Sequence, residues 1–253
     1  MNFRWTSLGL ITVLLLGCAN APYNASSIES DPLEKFNRKI FDFNYNVLDP
    51  YIMRPVAIAW RNYVPIIARN GLNNFTSNLE EPASMVNALL KGDPYHGMIH
   101  FNRFFLNSLL GMGGLIDVAR MANPALAREI SNRFGSTLGY YKVSYGPYII
   151  LPGYGSFTFR EDGGNWLDTL YPMLKYLTLW MLIGKWVVEG IETRAQFLDS
   201  DSLLSNSSCP YIMVREAYFQ YHDFIANGGS LKLEENINAK TIQDDLDEID
   251  SMH

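Results

Sequence analysis

The chain has 253 residues, of which 48% are hydrophobic and only 18% are charged, and its formal net charge is −6. Residues 231–253 hold seven acidic side chains and two lysines, so the rest of the chain is nearly neutral and offers no basic face for nucleic acid. The length is enough for one large domain or two small ones. The low charge indicates either surface that meets lipid or a partner, or a richly packed core.

The N-terminal residues predict a secretory leader that ends at a lipid-modified cysteine. Arg4 provides the positive charge, and the apolar stretch 8–16 is too short to span a bilayer. Leu-Leu-Gly at 15–17 followed by Cys18 resembles the bacterial lipobox. This resemblance implies that residues 1–17 are removed as a signal peptide and that Cys18 becomes an N-palmitoyl, S-diacylglycerol cysteine. The alternative is an ordinary secretory signal with a chance cysteine.

The predicted modification bears on where the protein resides. Several acyl chains hold a protein on a membrane stably, whereas one chain does so only marginally. Lipoproteins kept in the inner membrane typically carry Asp after the cysteine, and this chain has Ala19. The resemblance therefore predicts attachment to the inner leaflet of the outer membrane, on the periplasmic side. Lipidation of Cys18 leaves Cys209 without an intrachain disulfide partner, and Cys209 is interpreted as a helix-start residue before Pro210.

Proline-based signals mark helix starts along the body of the chain, after a predicted lipidated tether at 18–30. In each, a residue whose side chain can cap a helix, by accepting from an unpaired first-turn N–H, stands before a proline. Proline suits the first helical position because it has no N–H that would be left unpaired there. Gly92 is predicted to close the helix that precedes the third of them. The four signals are Asp31-Pro32, Asp49-Pro50, Asp93-Pro94 and Asn123-Pro124, with a weaker one of the same kind at Glu81-Pro82.

Hydrophobic spacing between these marks is helical. Apolar residues recur at intervals of three and four from Leu33 to Val47 and again from Tyr211 to Ile225. Strict alternation is scarce, so a mainly α single domain is predicted over 31–229, followed by a flexible acidic C-terminal tail at 230–253 with a short helix. Further helices are predicted at 65–78, 82–91, 94–110 and 172–198; the most apolar internal run, 176–184, is too short to span a membrane.

One segment departs from the helical pattern. Residues 135–164 hold seven of the nineteen glycines, and Gly-Pro and Pro-Gly pairs at 146–147 and 152–153 indicate turns. Residues 156–160 alternate between polar and apolar. The pattern predicts either a β-hairpin or an apolar loop that glycine keeps mobile.

Motifs for catalysis are missing. The chain has no G-x-S-x-G elbow and no phosphate-binding loop. His96 and His100 are spaced for one helical face, but Gly97 stands where a metalloprotease helix needs glutamate, so they are interpreted as helix-surface or interface histidines. The glycine-rich stretch 111–114 is interpreted as a tight turn between helices. We therefore expect a protein that is not an enzyme and holds no metal or cofactor.

Seven stretches, taken together with the lipobox, resemble the MlaA (VacJ) family of outer-membrane phospholipid-transport lipoproteins. They run in the right order from about Asp31 to Gly229, nearly the whole mature chain. They are DPLEKFNR (31–38), NVLDPYIMRP (46–55), NGLNNFTSNLEEP (70–82), RFFLNSLLGMGGLIDVA (103–119), FGSTLGYY (134–141), YGPYIILP (145–152) and GIETRAQFLDSDSLL (190–204).

The resemblance implies a mostly helical, ring-like protein with an amphipathic pore in the inner leaflet of the outer membrane. Phospholipid misplaced in the outer leaflet would enter this pore and pass to a soluble periplasmic lipid carrier. This removal would maintain the lipid asymmetry of the outer membrane. A trimeric outer-membrane porin is the second implied protein partner. A lipid that crosses a membrane needs an apolar path for its acyl chains and a hydrated path for its headgroup, since burial of an unpaired charge is costly.

Candidate pore residues follow from the resemblance and the predicted helices. Asn37 and Asn44 lie seven apart on a polar strip and are expected to line the pore near headgroups, with solvent-exposed helix amides as the alternative. Tyr45 is expected to help hold that helix in place. Lys185 follows the longest apolar run and is expected to attract a phosphate, with exposure at the surface as the alternative. Loop gating is predicted for Gly135, Gly139, Gly146, Gly153 and Gly155, with simple turns as the alternative.

The gating loop departs from the family pattern at two positions. The family commonly has glycine near 142 and 144, where this chain has Lys142 and Ser144. Two rival functions also stay open at this point. One is a structural lipoprotein that tethers a porin, and the other is a lipase built from a serine at 136 or 156 with a histidine at 96 or 222.

Overall fold

The computed structural model describes residues 31–171 and 174–229, and this part of the chain is mainly α-helical, as predicted. The predicted leader, Cys18, the tether and the acidic tail lie outside the described residues. The α-helices are α1 (Glu34–Phe43), α2 (Arg54–Tyr63), α3 (Ile66–Leu90), α4 (Pro94–Leu109), α5 (Val118–Ala122), α6 (Phe134–Tyr140), α7 (Leu179–Phe197), α8 (Asp201–Ser205) and α9 (Pro210–Ala226).

Helix α1 continues into α2 through a π-helical stretch, Asn44–Met53, that contains Pro50. The predicted helix start at Asp49-Pro50 is therefore wrong. The Asp49 carboxylate does not cap a helix, because Arg194 of α7 donates to both of its oxygens at 2.6 and 2.9 Å. Proline has no N–H for a regular α-helical bond, and wider π turns accommodate such interruptions.

Helix α3 likewise runs unbroken through Pro82, so the two helices predicted at 65–78 and 82–91 are one. Glu81 does not act as a cap here. Its carboxylate accepts from Arg103 Nε at 2.7 Å and lies 2.6 Å from His100 Nδ1, and both partners belong to α4. This ion cluster is buried and joins the two helices.

The boundaries predicted at Gly92-Asp93 and at Asn123 are confirmed, whereas the start predicted at Asp31-Pro32 falls later, because α1 begins at Glu34 with Leu33 as its N-cap. Asp93 accepts from the backbone N–H of His96 at 3.0 Å, and Gly92 ends α3 with φ of +78°. Asn123 accepts from the N–H of Ala125, although only one 3₁₀ turn, Pro124–Leu126, follows. The glycine-rich stretch 111–114 forms the tight turn after α4, with positive φ at three of its four residues.

Segment 135–164, whose sequence departs from the helical pattern, includes a β-hairpin. A hairpin was one of the two predicted alternatives. Strand β1 (Ile149–Leu151) pairs antiparallel with β2 (Gly155–Phe157), with Ile150 opposite Ser156. Beyond β2 follow a π-helical turn, Phe159–Gly163, and 3₁₀ turns at Trp166–Leu170 and Leu174–Tyr176.

The two predicted C-terminal helices, α7 and α9, differ in how closely their starts match the sequence-based prediction. Helix α7 starts at Leu179, later than predicted, because Thr178 accepts from the N–H of Met181 as its cap. Cys209 occupies the N-cap position of α9, as interpreted from the sequence, although its side chain makes no capping bond. A 3₁₀ turn, Leu198–Ser200, joins α7 to α8.

The outer surface of the first helices is unusually apolar. Helix α1 turns Asn37 and Phe41 inward, whereas Phe36 and Phe43, two of its regular apolar positions, are 49% and 44% exposed. Exposed apolar surface of this kind is typical of contact with lipid or a partner. Among the described residues, no helix combines the length and the apolar character that a membrane crossing needs.

Candidate functional site

A cavity of about 540 Å³ lies between α3, the hairpin, the turns at 162–169 and α7. Its wall combines a broad apolar surface with a compact charged region. The apolar and aromatic lining residues are Ala83, Tyr154, Trp166, Leu174, Leu179, Leu182, Ile183 and Trp186, and the polar ones are Glu80, Ser84, Asn132, Arg133, Asp162, Asn165, Asp168, Thr169, Lys185 and Glu189.

Helix α7 provides half of the apolar lining residues and is strongly exposed at its N-terminal end. Leu179 is 68% exposed, and Trp186 is 49% exposed. The ring of Trp186 stacks on Tyr154 at the hairpin, with ring centroids 6.0 Å apart and planes within 9°. An offset stack of this geometry stabilises the approach of the hairpin to α7. The apolar wall therefore joins two elements that are distant in sequence.

Four side chains of alternating charge form the charged region, which we call the charged chain: Arg133, Glu80, Lys185 and Glu189. Arg133 donates to both Glu80 oxygens at 2.9 and 3.1 Å. Lys185 donates to Glu80 at 2.5 Å and reaches Glu189, one turn further along α7, at 2.8 Å. The ions thus neutralise one another pairwise across α3, the 132–133 segment and α7.

The electrostatics of the charged chain keep Glu80 ionised. Burial alone would raise the pKa of Glu80, but the charges of Arg133 and Lys185 and their hydrogen bonds together lower it to about 2. The Glu80 carboxylate in turn raises the pKa of Arg133 above its usual value. Both ions are therefore fully charged at neutral pH.

Two aspartates also line the cavity. Asp168 accepts from the Asn87 side chain at 2.8 Å and from the N–H of Phe134 at 3.1 Å, and burial raises its pKa. Asp162 accepts from the hydroxyls of Tyr154 and Tyr218, each at 2.7 Å. These bonds fix the start of α6 and the hairpin around the cavity.

The predicted pore residues divide between the cavity and the hairpin. Lys185 lines the cavity, as described. Asn37 is fully buried and Asn44 is partly buried, and both bind the hairpin backbone instead of facing the cavity. Tyr45 stacks on Phe41 with centroids 5.6 Å apart, in the core between α1 and the hairpin. The pore role proposed for these three residues of the first helix is untested, and their contacts show them positioning the hairpin.

The glycines predicted to gate the loop fall into two groups. Gly135 and Gly139 lie in α6, where an added Cβ would come within 2.6 Å of the Glu161 backbone and 2.9 Å of Ala226. Gly146, Gly153 and Gly155 have φ of +73°, +72° and +99° at turns that favour glycine. Close packing accounts for the first group and turn geometry for the second; gating stays a prediction.

Lys142 and Ser144, which stand where the family commonly has glycine, lie just after the end of α6. Lys142 follows α6 in the left-handed region, with φ of +59°. Its N–H bonds to the carbonyl of Gly139, and that of Val143 to Leu138, which is the bond pattern of a Schellman helix end. Glycine is the favoured residue there. The Ser144 hydroxyl accepts weakly from the N–H of Gly146 at 3.5 Å.

The histidines and serines of the rival lipase are bonded elsewhere. Ser136 donates to the Arg133 carbonyl, and the Ser156 hydroxyl pairs with that of Tyr148. His222 Nδ1 lies 3.1 Å from Glu161, and His96 Nδ1 faces Asp93. His100, predicted at a surface or interface, is only 2% exposed. Within 31–171 and 174–229, no group of three or more potential ligands is placed to hold a metal ion.

Sequence reasoning missed most of the charged chain. Glu189 was detectable in principle, since it lies four residues after Lys185 on a helix, a spacing that pairs side chains. Glu80 and Arg133 carried no such signal, because they are 53 residues apart and meet only in the fold. The aromatic stack of Tyr154 on Trp186 was also missed.

The fold and the site define a helical protein with an amphipathic cavity and an apolar outer face. A family model described as MlaA lipoprotein matches residues 29–224. The chain is 66% identical over 251 residues to the intermembrane phospholipid transport system lipoprotein MlaA of Shigella flexneri and to that of Escherichia coli K12, covering 99% of this chain and 100% of each relative. The chain belongs to the MlaA lipoprotein family.

More distant relatives and a solved structure agree with this assignment. The Haemophilus influenzae protein of the same name is 41% identical over 226 residues, covering 88% of this chain and 90% of its own. A solved structure described as "Structural basis for maintenance of bacterial outer membrane lipid asymmetry" is 81% identical, with a TM-score of 0.77. The match covers 100% of the solved chain and 79% of this chain. The mainly helical fold is thus shared with an experimentally solved chain.

Proposed function

We propose that this protein removes mislocalised phospholipid from the outer leaflet of the outer membrane and passes it to a periplasmic carrier. The observation that carries this proposal is the amphipathic cavity, in a chain whose relatives are named as phospholipid transport lipoproteins. The result of such transport is the maintenance of outer-membrane lipid asymmetry.

The two kinds of wall suit the two parts of a phospholipid. The leucines of α7 and Trp166 offer apolar surface to acyl chains, and the charged chain offers ions to a headgroup. A headgroup that leaves water needs such partners, since an unpaired charge in an apolar medium costs several kcal/mol or more. The route requires no nucleophile and no nucleotide, so transport rather than catalysis is the proposed activity.

The proposed location follows from the predicted anchor. Cys18 would carry the acyl chains in the inner leaflet of the outer membrane, with the body on the periplasmic side. The exposed apolar residues of α1 and α2, such as Phe36, Phe43 and Val56, support contact with lipid or with a membrane partner. We propose a trimeric porin as that partner and a soluble lipid carrier as the acceptor.

Surface-exposed phospholipid on intact cells tests this function. A deletion strain is complemented with wild type, Cys18→Ala, Lys185→Glu or, as a matched charge-reversal control, Arg128→Glu, an exposed residue outside the cavity and outside α1 and α2. We expect outer-leaflet phospholipid to rise on deletion and to be fully corrected by wild type and Arg128→Glu alone. Lys185→Glu should fail because it puts a third carboxylate beside Glu80 and Glu189.

The same strains separate the porin tether from transport. A tether needs an intact outer surface but no lipid path, so Lys185→Glu would then complement fully. If deletion leaves surface phospholipid unchanged while porin assembly suffers, the transport proposal is refuted and the tether replaces it.

A further inference from the structure

The ends and the middle of the charged chain differ in accessibility. The two central members, Glu80 and Lys185, have side chains only 13% and 12% exposed, and each is paired on both sides. The two terminal members are more open: Arg133 is 46% exposed and Glu189 is 30% exposed. The charged chain therefore presents a partly exposed cation at one end and a partly exposed anion at the other, while its middle is satisfied internally.

The overall charge of the cavity wall is negative. Four carboxylates line it, against two cations, Arg133 and Lys185. A headgroup with a net negative charge would meet this surplus of carboxylates without compensation. A headgroup that carries both a phosphate and an ammonium would place one opposite charge at each end of the charged chain.

We propose that the charged chain recognises a zwitterionic phospholipid headgroup, with Arg133 donating to the phosphate and Glu189 accepting from the ammonium. The site thereby favours ethanolamine over glycerol headgroups. This inference rests on the proposed transport function and specifies its substrate class. Glu80 and Lys185 act as positioning residues, because they hold the two terminal side chains at the cavity wall.

The direct test is a comparison of two soluble short-chain lipids on the full-length lipidated protein in detergent. Dihexanoyl phosphatidylethanolamine and dihexanoyl phosphatidylglycerol are titrated while the intrinsic tryptophan fluorescence, to which the cavity residues Trp166 and Trp186 contribute, is followed. We expect the ethanolamine lipid to bind roughly threefold to fivefold more tightly, as a partly exposed ion pair provides. Glu189→Gln should reduce this ratio to about one without weakening the glycerol lipid.

Matched variants separate headgroup recognition from loss of fold. Glu189→Gln leaves the Glu80 pairs with Lys185 and Arg133 intact, so the fold is retained. Asp199→Asn removes a carboxylate that pairs with Arg61 outside the cavity, and it should leave the ratio unchanged. Arg133→Gln should weaken both lipids alike, because both carry the phosphate.

The outcomes distinguish this inference from the function on which it rests. Equal binding of the two lipids by wild type, or an unchanged ratio in Glu189→Gln, overturns headgroup selection while lipid transport stands. Failure of both lipids to bind, together with unchanged surface phospholipid in the deletion strain, overturns the transport function as well.

Discussion

Replacement of Asn37 by alanine should destabilise the protein through the hairpin that Asn37 holds. The Asn37 side chain donates to the carbonyl of Tyr148 at 3.0 Å and accepts from the N–H of Ile150 at 2.9 Å. It thereby satisfies the free edge of β1 as a neighbouring strand would. Asn37 is fully buried, so alanine would leave both backbone groups without partners.

The magnitude follows from the cost of unsatisfied buried groups. Each orphaned donor or acceptor costs about 1–3 kcal/mol, and partial relaxation or an entering water recovers some of that cost. We therefore expect Asn37→Ala to lower the free energy of unfolding by roughly 2–4 kcal/mol. Such a loss is a large fraction of the stability of a typical domain.

Urea unfolding of the full-length protein in detergent, followed by circular dichroism, measures this loss. Asn46→Ala is the matched control, since Asn46 is exposed in the same continuous helical rod, which runs through α1, the π-helical stretch and α2. Removal of the Asn46 amide should cost less than about 0.5 kcal/mol. Equal stability of Asn37→Ala and Asn46→Ala would refute the view that the asparagine amide holds the hairpin.

Two further predictions concern helix α6 and the charged chain. Lys142→Gly should stabilise the protein by about 0.5–1 kcal/mol in urea unfolding, because Lys142 occupies a left-handed position. Lys142→Ala, which keeps the strain, should give no gain. Stability should fall by up to about 3 kcal/mol as the pH drops from about 5 through 2, because the fold lowers the pKa of Glu80 from 4.5 to about 2. Glu80→Gln should flatten that pH dependence, and Glu34→Gln, in an exposed pair, should not.

The sign of the pH effect follows from which state holds the proton. The unfolded chain protonates Glu80 near its ordinary pKa of 4.5, whereas the folded protein keeps it ionised to about 2. The stabilisation is therefore present above the unfolded value and is lost on acidification. An equal acid sensitivity of wild type and Glu80→Gln would show that other carboxylates dominate.

Helix boundaries were predictable where no arginine from another helix bound the capping side chain. Asp93 and Asn123 accept backbone N–H groups as their local sequence indicates. Asp49 and Glu81 carry the same local signal before a proline, but arginines from other helices bind their carboxylates instead. Local pattern cannot reveal that competition, since the arginine that binds Asp49 lies 145 residues away.

The candidate site was predictable only in part for a similar reason. Lys185 stood out because it follows an apolar run, whereas its buried partner Glu80 lies 105 residues earlier in the chain. The asparagines at 37 and 44 were predicted to line the pore, a role that stays a prediction, and the structure shows both side chains bonded to the hairpin backbone. Their partners are the peptide groups of the hairpin. The sequence of that segment indicates turns, but it does not indicate which residues the turns contact.

The unbroken rod from α1 to α2 has a consequence for the order in which the protein folds. The local sequence at Asp49-Pro50 favours a break, and the Asp49 carboxylate that would cap a new helix is bound instead by Arg194, near the other end of the domain. A contact of such large sequence separation forms only after most of the chain is available, since the intervening loop must close first. An N-terminal fragment made first would therefore hold two short helices with an unsettled junction. The rod would reach its final form only when α7 arrives.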